Sequence, residues 1–438
     1  VLTQRMAAVS LPLEGKRHVL LAVSGGSDST AMLVLAFRQI KSLSNPPKLT
    51  AITIDHALRA ESAAEAEMVG ALCKKLGIEH IVRKWVGEKP VTGIQDAARD
   101  ARRTLIAEAA GQIGADLVLT GHTIDDQRET VTMRARRGIG QGLAGISPAS
   151  LVFNDLADGQ PIWFARPLLQ QTRQGLRDIL TGENIGWIDD PSNNNFGYER
   201  IAMRHRLAEM PAENLAAIDQ RQRETAVRRQ RLVSEAAPMI ATYAANLMPG
   251  LAFVDRALFE EPQSAAKLLA LRALMSFAAG APYLADELHA NVLFEAAAKH
   301  REKPGGKAER LGAGGVLADI RANGVYLLQE RRRGSVNTKS FAGRYRLLNV
   351  APGQGPARAI AVKRPSAPAS LVRHAQLSEP VFDCPNKGAM TAAEAVRKGR
   401  SLRLLLNPWP DLVPSFDLEL AKSLAQLAGA NPLPDLAL

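Results

Sequence analysis

Residues 20–30 read LLAVSGGSDST, and the parsing of this stretch decides the fold. The run HVLLAV from His18 is short, apolar and unbroken, as a strand covered on both faces requires, and STAMLVLAFRQI after it keeps a helical period. Between them, Ser24-Gly25-Gly26-Ser27-Asp28-Ser29 is a first βα turn. Gly25 and Gly26 allow a ligand close to the backbone. Ser24, Ser27 and Ser29 add hydroxyls beside helix-terminal N–H groups, so the turn suits a phosphate. The lysine of a G-x-x-x-x-G-K-[ST] loop is missing, which speaks against ordinary P-loop NTPase chemistry. Asp28 would be repelled by phosphates unless it bound Mg²⁺, a hard cation that takes carboxylate and phosphate oxygens together. A Gly-Ser turn with Asp28 as a plain helix cap is the competing reading, made secondary by the buried-type strand in front of it.

Working outward, LTAITID from Leu49, HIVRKWV from His80 and ADLVLTG from Ala115 read as further strands. Helices are expected around Glu61 to Leu76, around Ile94 to Ile113, and from about Asp125. Four strands separated by helices predict an α/β domain with a doubly wound parallel sheet, which binds ligands beyond the carboxyl ends of its strands. TGHTIDDQRET, Thr120 to Thr130, lies at that edge after the fourth strand. His122, Asp125, Asp126 and Glu129 place one imidazole and three carboxylates within eight residues, enough for a metal ligand, an orienting group and a substrate contact. A capped helix start explains Thr123 or Asp125 but needs neither the Gly-His pair nor so many acids.

Further along, WFARPLL leads to a predicted helix over TRQGLRDILTGENIG and then to WIDDPSNNNFGYER, whose Pro, Ser and Asn mark a loop. A catalytic domain over 1–206 is expected. Residues 207–335 read as a helical second domain, opening on a helix with Arg221, Arg223, Arg228, Arg229 and Arg231 and closed by a hairpin with paired glycines. Residues 336–438 form a small mixed C-terminal region. With 55 Lys+Arg against 44 Asp+Glu, the 438-residue chain carries +11, which suits a polyanion. The arginine helix and Arg331 to Arg333 are the candidate contacts for one. Cys73 and Cys384 are far apart and outside any C-x-x-C pair, so disulfide, zinc-ribbon and thiol-relay chemistry are poorly supported. No run approaches the roughly 18 to 20 apolar residues of a membrane span. A soluble cytoplasmic protein without a membrane partner is expected; assembly as a homodimer is left open.

The S-G-G-x-D-S loop resembles that of the N-type ATP pyrophosphatase (PP-loop) superfamily. The chain as a whole resembles tRNA(Ile)-lysidine synthetases. Over residues 18 to 207 the resemblance rests in order on IDHALRAES, GIQDAARDARRTLI, GHTIDDQRET, RRGIGQGLAGI, RPLL and WIDDPSNNNFGYERIAMRHRL, and later on ERLGAGGVLADIRANGVYLL. It implies adenylation, by ATP with Mg²⁺, of the C2 oxygen of the wobble cytidine in a CAU-anticodon isoleucine tRNA. The ε-amine of free lysine then displaces AMP. It also implies that Ser24, Gly25, Gly26, Ser27, Asp28 and Ser29 hold the nucleotide, with Asp28 on the metal. Asp28, His122, Asp126, Arg200 and Arg204 then carry catalysis or orient substrate. Arg99 and Arg102 are candidates for phosphate or tRNA. The chain departs from the family at Ile201, where asparagine is usual, at Arg103, where an aromatic is common, and at Thr123, where His or Asn is frequent. A tRNA thiolase of the same superfamily, which needs a sulfur carrier, and a noncatalytic ATP-dependent RNA-binding protein are the alternatives.

Overall fold

The computed structural model describes residues 9–57, 62–138, 140–154, 160–189, 199–260, 262–300, 308–330, 345–347, 367–378, 381–384, 388–391, 402–436 and 438. Two compact units divide the chain, the first running to Arg229 and the second from Gln230 to Asp435.

The first unit opens with β1 (His18–Ala22), α1 (Ser27–Ile40), β2 (Lys48–Asp55), α2 (Ser62–Leu76), β3 (Glu79–Lys84), α3 (Ile94–Gln112), β4 (Leu117–Thr120) and α4 (Ile124–Arg136). Strands β1 and β4 are buried at every residue, as their unbroken apolar sequence demands. The chain continues through β5 (Ala149–Val152), β6 (Ile162–Ala165), α5 (Arg173–Gly182), α6 (Glu199–Ala208) and α7 (Ala212–Tyr243). The strands line up in the order β5-β6-β4-β1-β2-β3. β1 pairs in parallel with both β2 and β4, β2 with β3, and β4 with β6, while β5 runs antiparallel to β6. The parallel sheet is thus the predicted one, extended by two strands from the segment around WFARPLL. The chain winds from β1 out to β3 and then returns to the other side of β1. The strand order therefore reverses between β1 and β4, and the loops after these two strands meet at the crevice where open α/β sheets bind ligands.

Helices do follow, and α8 (Ala265–Ala279) and α9 (Glu287–Lys299) bury Leu269, Leu271, Leu274, Leu293 and Phe294. They accompany an antiparallel sheet of β7 (Ala244–Met248), β8 (Leu251–Asp255), β9 (Glu309–Ala313), β10 (Val316–Arg321) and β11 (Gly324–Gln329) in the order β7-β8-β11-β10-β9. The expected hairpin is its β9-β10-β11 portion. β7 and β8 lie inside a stretch whose alanines and leucines read as helix. Gly250, at φ 80° after Met248 and Pro249, makes the turn that commits those residues to strands. Among the described residues no helix is long and apolar enough to cross a membrane.

Candidate active site

The phosphate loop leaves β1 and enters α1 without a side-chain cap, because the N-cap position is Gly26. Its hydroxyls brace the turn. Ser29 Oγ accepts from the Ser24 amide at 3.1 Å, lies 3.2 Å from Ser24 Oγ, and donates to the Gly26 carbonyl, while Thr30 donates to the Gly25 carbonyl. Gly25 sits at φ +87°, and a Cβ there would lie 2.5 Å from Ile188 Cδ1. The Ile188 amide also donates to the Gly25 carbonyl at 2.9 Å, so the backbone just before the D-P-S-N segment is tied to the loop. The second loop approaches equally closely. A Cβ on Gly121 would lie 3.0 Å from the Ser29 backbone, which is why a glycine stands before His122.

Helix α4 starts on a capping box in which Asp126 accepts from both the amide and the hydroxyl of Thr123. The threonine that departs from the family is therefore the cap of this helix. Asp126 and Glu129, one turn apart, face the loop and are nearly enclosed; Glu129 is 1 % exposed. A carboxylate that deep must be paired. Three guanidinium groups do this. Arg200 donates through Nε to Glu129 at 2.6 Å and through Nη2 to Asp126 at 3.0 Å, and Arg204 donates through Nε to Glu129 at 2.8 Å. Arg173 donates through Nε to Asp28 at 3.0 Å and comes within 3.6 Å of Asp126 and 3.9 Å of Glu129. Asp125 turns aside to accept the Arg173 amide at 2.7 Å. Asp28, Asp126, Glu129, Arg173, Arg200 and Arg204 thus form one ionic cluster in the β1/β4 crevice. Of these, Arg173 belongs to no motif that the sequence displays, and Glu129 stands out there less than Asp126.

Burial pushes the Asp28 carboxyl above the usual range, with Arg173 opposing it. Burial also opposes the charge of Asp126, but His122, Arg200 and Arg173 prevail and hold its pKa below the usual value. His122, at the end of β4, is pushed down to about 3 by burial and by the nearby Arg166. Its Nδ1 lies 3.1 Å from Thr120 Oγ1, whose own proton goes to the Ala165 carbonyl at 3.3 Å. Nδ1 is then the protonated nitrogen of a neutral ring, and Nε2 carries the lone pair.

Arg102 lies in α3, where burial, and then the like charge of Arg99, lower its pKa. It also lowers the pKa values of His56 and His122, and no ion pair holds it among the described residues. Arg103 instead pairs with Asp100 at 3.1 Å. Ile201 is buried at 9 % exposure in α6, where it packs while Arg200 and Arg204 reach inward. Arg134 donates to the carbonyls of Gly142 and Gly145, and Arg137 pairs with Glu199. Asp190 to Asn194 of the D-P-S-N segment and Arg331 to Arg333 lie outside the described residues.

The residues fit Mg²⁺ only as a shared ion. Asp28 has one oxygen toward Ser27 and one toward Arg173, and among the described residues no set of three acids, histidines or cysteines could hold a metal by itself. One carboxylate completed by phosphate oxygens is a common Mg²⁺ arrangement.

A PP-loop domain model matches residues 2–211. Over 434 residues the chain is 38 % identical to a tRNA(Ile)-lysidine synthase of Mesorhizobium japonicum, covering 94 % of this chain and 92 % of that one. The chain belongs to the tRNA(Ile)-lysidine synthase family. A Brucella anthropi member is 47 % identical over 210 residues, 47 % of this chain and 46 % of that protein. Among solved structures, the U34-tRNA thiolase NcsA of Methanococcus maripaludis is similar with a TM-score of 0.42 and 15 % identity, over 51 % of this chain and 77 % of that one. Family membership makes this an ATP-using enzyme, and the crevice between β1 and β4 is where its loop and acids converge.

Proposed function

We propose that this chain joins free L-lysine to C2 of the wobble cytidine in a CAU-anticodon tRNA(Ile), with ATP converted to AMP and pyrophosphate. The observation that carries the reading is the junction of the phosphate loop with Asp126, Glu129, Arg200 and Arg204 in one crevice. Cytosine's C2 is a poor electrophile until its oxygen becomes part of a leaving group. In the first step the C2 oxygen attacks the α-phosphorus, an O–P bond forms, and pyrophosphate departs with the electrons of the broken P–O bond. In the second, the lysine ε-amine bonds to C2, AMP leaves, and the amine gives up a proton.

Ser24 to Ser29 hold the leaving pyrophosphate by backbone dipoles and hydroxyls. Asp28 would hold Mg²⁺ jointly with phosphate oxygens, and the ion would offset charge built up on the leaving group. Asp126 is anionic and fixed to the helix start, so it can orient the lysine ammonium. His122, neutral with its lone pair on Nε2, is a hydrogen-bonding group for the base. Arg102 is a cation without an ion pair among the described residues, and is assigned to an incoming phosphate or carboxylate. Arg221, Arg223 and Arg228, exposed on α7, are assigned to the tRNA backbone, and residues 336–438 to tRNA recognition. The reaction is assigned to the cytoplasm, which a tRNA substrate supports. Every group named lies in one chain, so the reading holds for a monomer or a homodimer. A thiolase reading gains no support from Cys73, a buried thiol pushed up to about 11 by that burial.

Pyrophosphate release should require the cognate tRNA. With ATP and Mg²⁺, release that proceeds equally with tRNA(Ile), with elongator methionine tRNA and with no RNA would refute the reading. An Asp28→Ala variant should keep the fold and lose adenylation.

A further inference from the structure

The phosphate loop lacks a lysine, yet two cations reach it from elsewhere in the chain. We infer that Arg173 and Arg177, one turn apart on α5, are the pyrophosphate-binding cations of this site. This rests on the proposed adenylating activity and assigns two residues to its leaving group.

The helix is set to present them. Thr172 caps α5 by accepting the Gly175 amide, and Leu176, Ile179 and Leu180 bury its other face. Arg173 and Arg177 then project together toward the start of α1. Arg173 Nε donates to Asp28 Oδ2, and Arg177 Nε lies 3.4 Å from Ser27 Oγ. They therefore reach consecutive residues at the uncapped end of α1. Arg177 also pairs with Asp189 at 2.9 Å and lies 5.5 Å from the Trp187 ring centroid.

Arg173 has the geometry of a cation held in readiness. Its guanidinium is shared among Asp28, Asp126 and Glu129, at 3.0, 3.6 and 3.9 Å, with no bidentate pairing to any of them. A structural brace would be expected to adopt the fork-to-fork geometry seen between Arg128 and Asp219, at 2.9 and 2.7 Å. A phosphate oxygen near Ser27 would draw Arg173 from Asp28, freeing that carboxylate for the shared metal. Arg177, 35 % exposed, would trade a surface carboxylate for the same anion.

The test is binding of inorganic pyrophosphate with Mg²⁺ to the full-length protein by titration calorimetry, for wild type, Arg177→Gln, Arg173→Gln and Arg173→Lys. KM values for ATP and lysine are measured alongside. Each glutamine variant should weaken pyrophosphate binding about tenfold or more, as removal of one charge-assisted hydrogen bond would, and raise KM for ATP in parallel. KM for lysine should stay within about twofold in Arg177→Gln, which touches none of the crevice acids, and Arg173→Lys should recover part of the affinity lost in Arg173→Gln. Unchanged pyrophosphate affinity in Arg177→Gln and Arg173→Gln overturns the inference, whatever their turnover. Should Arg173→Gln fail to fold, Arg177→Gln decides alone. Wild-type protein that binds pyrophosphate but never releases it from ATP would instead contradict the proposed function.

Discussion

His122 is the residue whose surroundings most constrain its role. An imidazole pushed down to about 3 is neutral throughout the working range and is no base at neutral pH, which leaves hydrogen bonding as the role proposed for it. His122→Gln should therefore lower turnover while leaving the shape of the pH–rate profile between about pH 5.5 and 8 as in wild type. A wild-type inflection near pH 6.5 that vanishes in the variant would contradict this. Gly25 supports a second prediction. An alanine there would hold φ +87° at a cost of about 1–2 kcal/mol and would press against Ile188, so Gly25→Ala should raise KM for ATP without changing tRNA affinity. Steady-state kinetics with a tRNA filter-binding assay check it. At this scale Asp28, His122 and Asp126 were legible because each sits in a short motif at the end of a strand. Arg173 was not. It meets Asp28 across 145 residues of sequence, and nothing local distinguishes it from a solvated arginine on an amphipathic helix.

Helix α4 works on two faces. Asp126 and Glu129 point into the crevice. Gln127 accepts the Ile146 amide at 2.6 Å and donates to the Ile146 carbonyl at 2.8 Å, and Arg128 forks onto Asp219 of α7. Gln222 of α7 donates to the Ala144 carbonyl at 2.7 Å. The G-L-A-G-I segment is thus gripped from both helices, which is why Gly145, at φ +76° with Gln127 Oε1 2.3 Å from where a Cβ would stand, cannot carry a side chain. Both partners of the Arg128–Asp219 bridge are largely buried, at 15 % and 12 % exposure. A double-mutant cycle to alanine should give a coupling of about 1.5–3 kcal/mol in denaturant unfolding of the chain, and a coupling near zero would show that the helices dock without the bridge. On the exposed side of α7, replacing Arg221, Arg223 and Arg228 with alanine should weaken tRNA binding and reduce the slope of log K against log salt by about 0.7–0.9 for each phosphate no longer neutralised. Unchanged affinity at every salt concentration would remove this helix from the footprint. Elements as such were readable where one period persisted, as in β1, α1 and α3. β5 and β6 have only four residues each, and β7 and β8 are assembled from alanine- and leucine-rich sequence whose strand character comes from pairing, β7 with β8 and β8 with β11.

For the whole molecule, the strand order dictates where chemistry can occur. The reversal between β1 and β4 brings the phosphate loop beside the His-Asp-Glu turn, and α5 and α6 then deliver Arg173, Arg200 and Arg204 to those acids. Resemblance over 94 % of the chain extends beyond this unit into the second, where Asp319, with no exposed surface, is held between Arg310 and Arg321 in the antiparallel sheet. Lysine joined to a base of tRNA(Ile), and not to its terminal ribose as an ester, is the product that distinguishes this reaction. The most direct measurement supplies the protein with ATP, Mg²⁺, radiolabelled lysine and tRNA(Ile) bearing the CAU anticodon, removes aminoacyl esters with alkali, digests the RNA to nucleosides and separates them. The label should co-elute with one modified cytidine, in an amount that matches the AMP formed. Label absent from the nucleosides, or lysine lost entirely with the alkali-labile esters, would contradict the account.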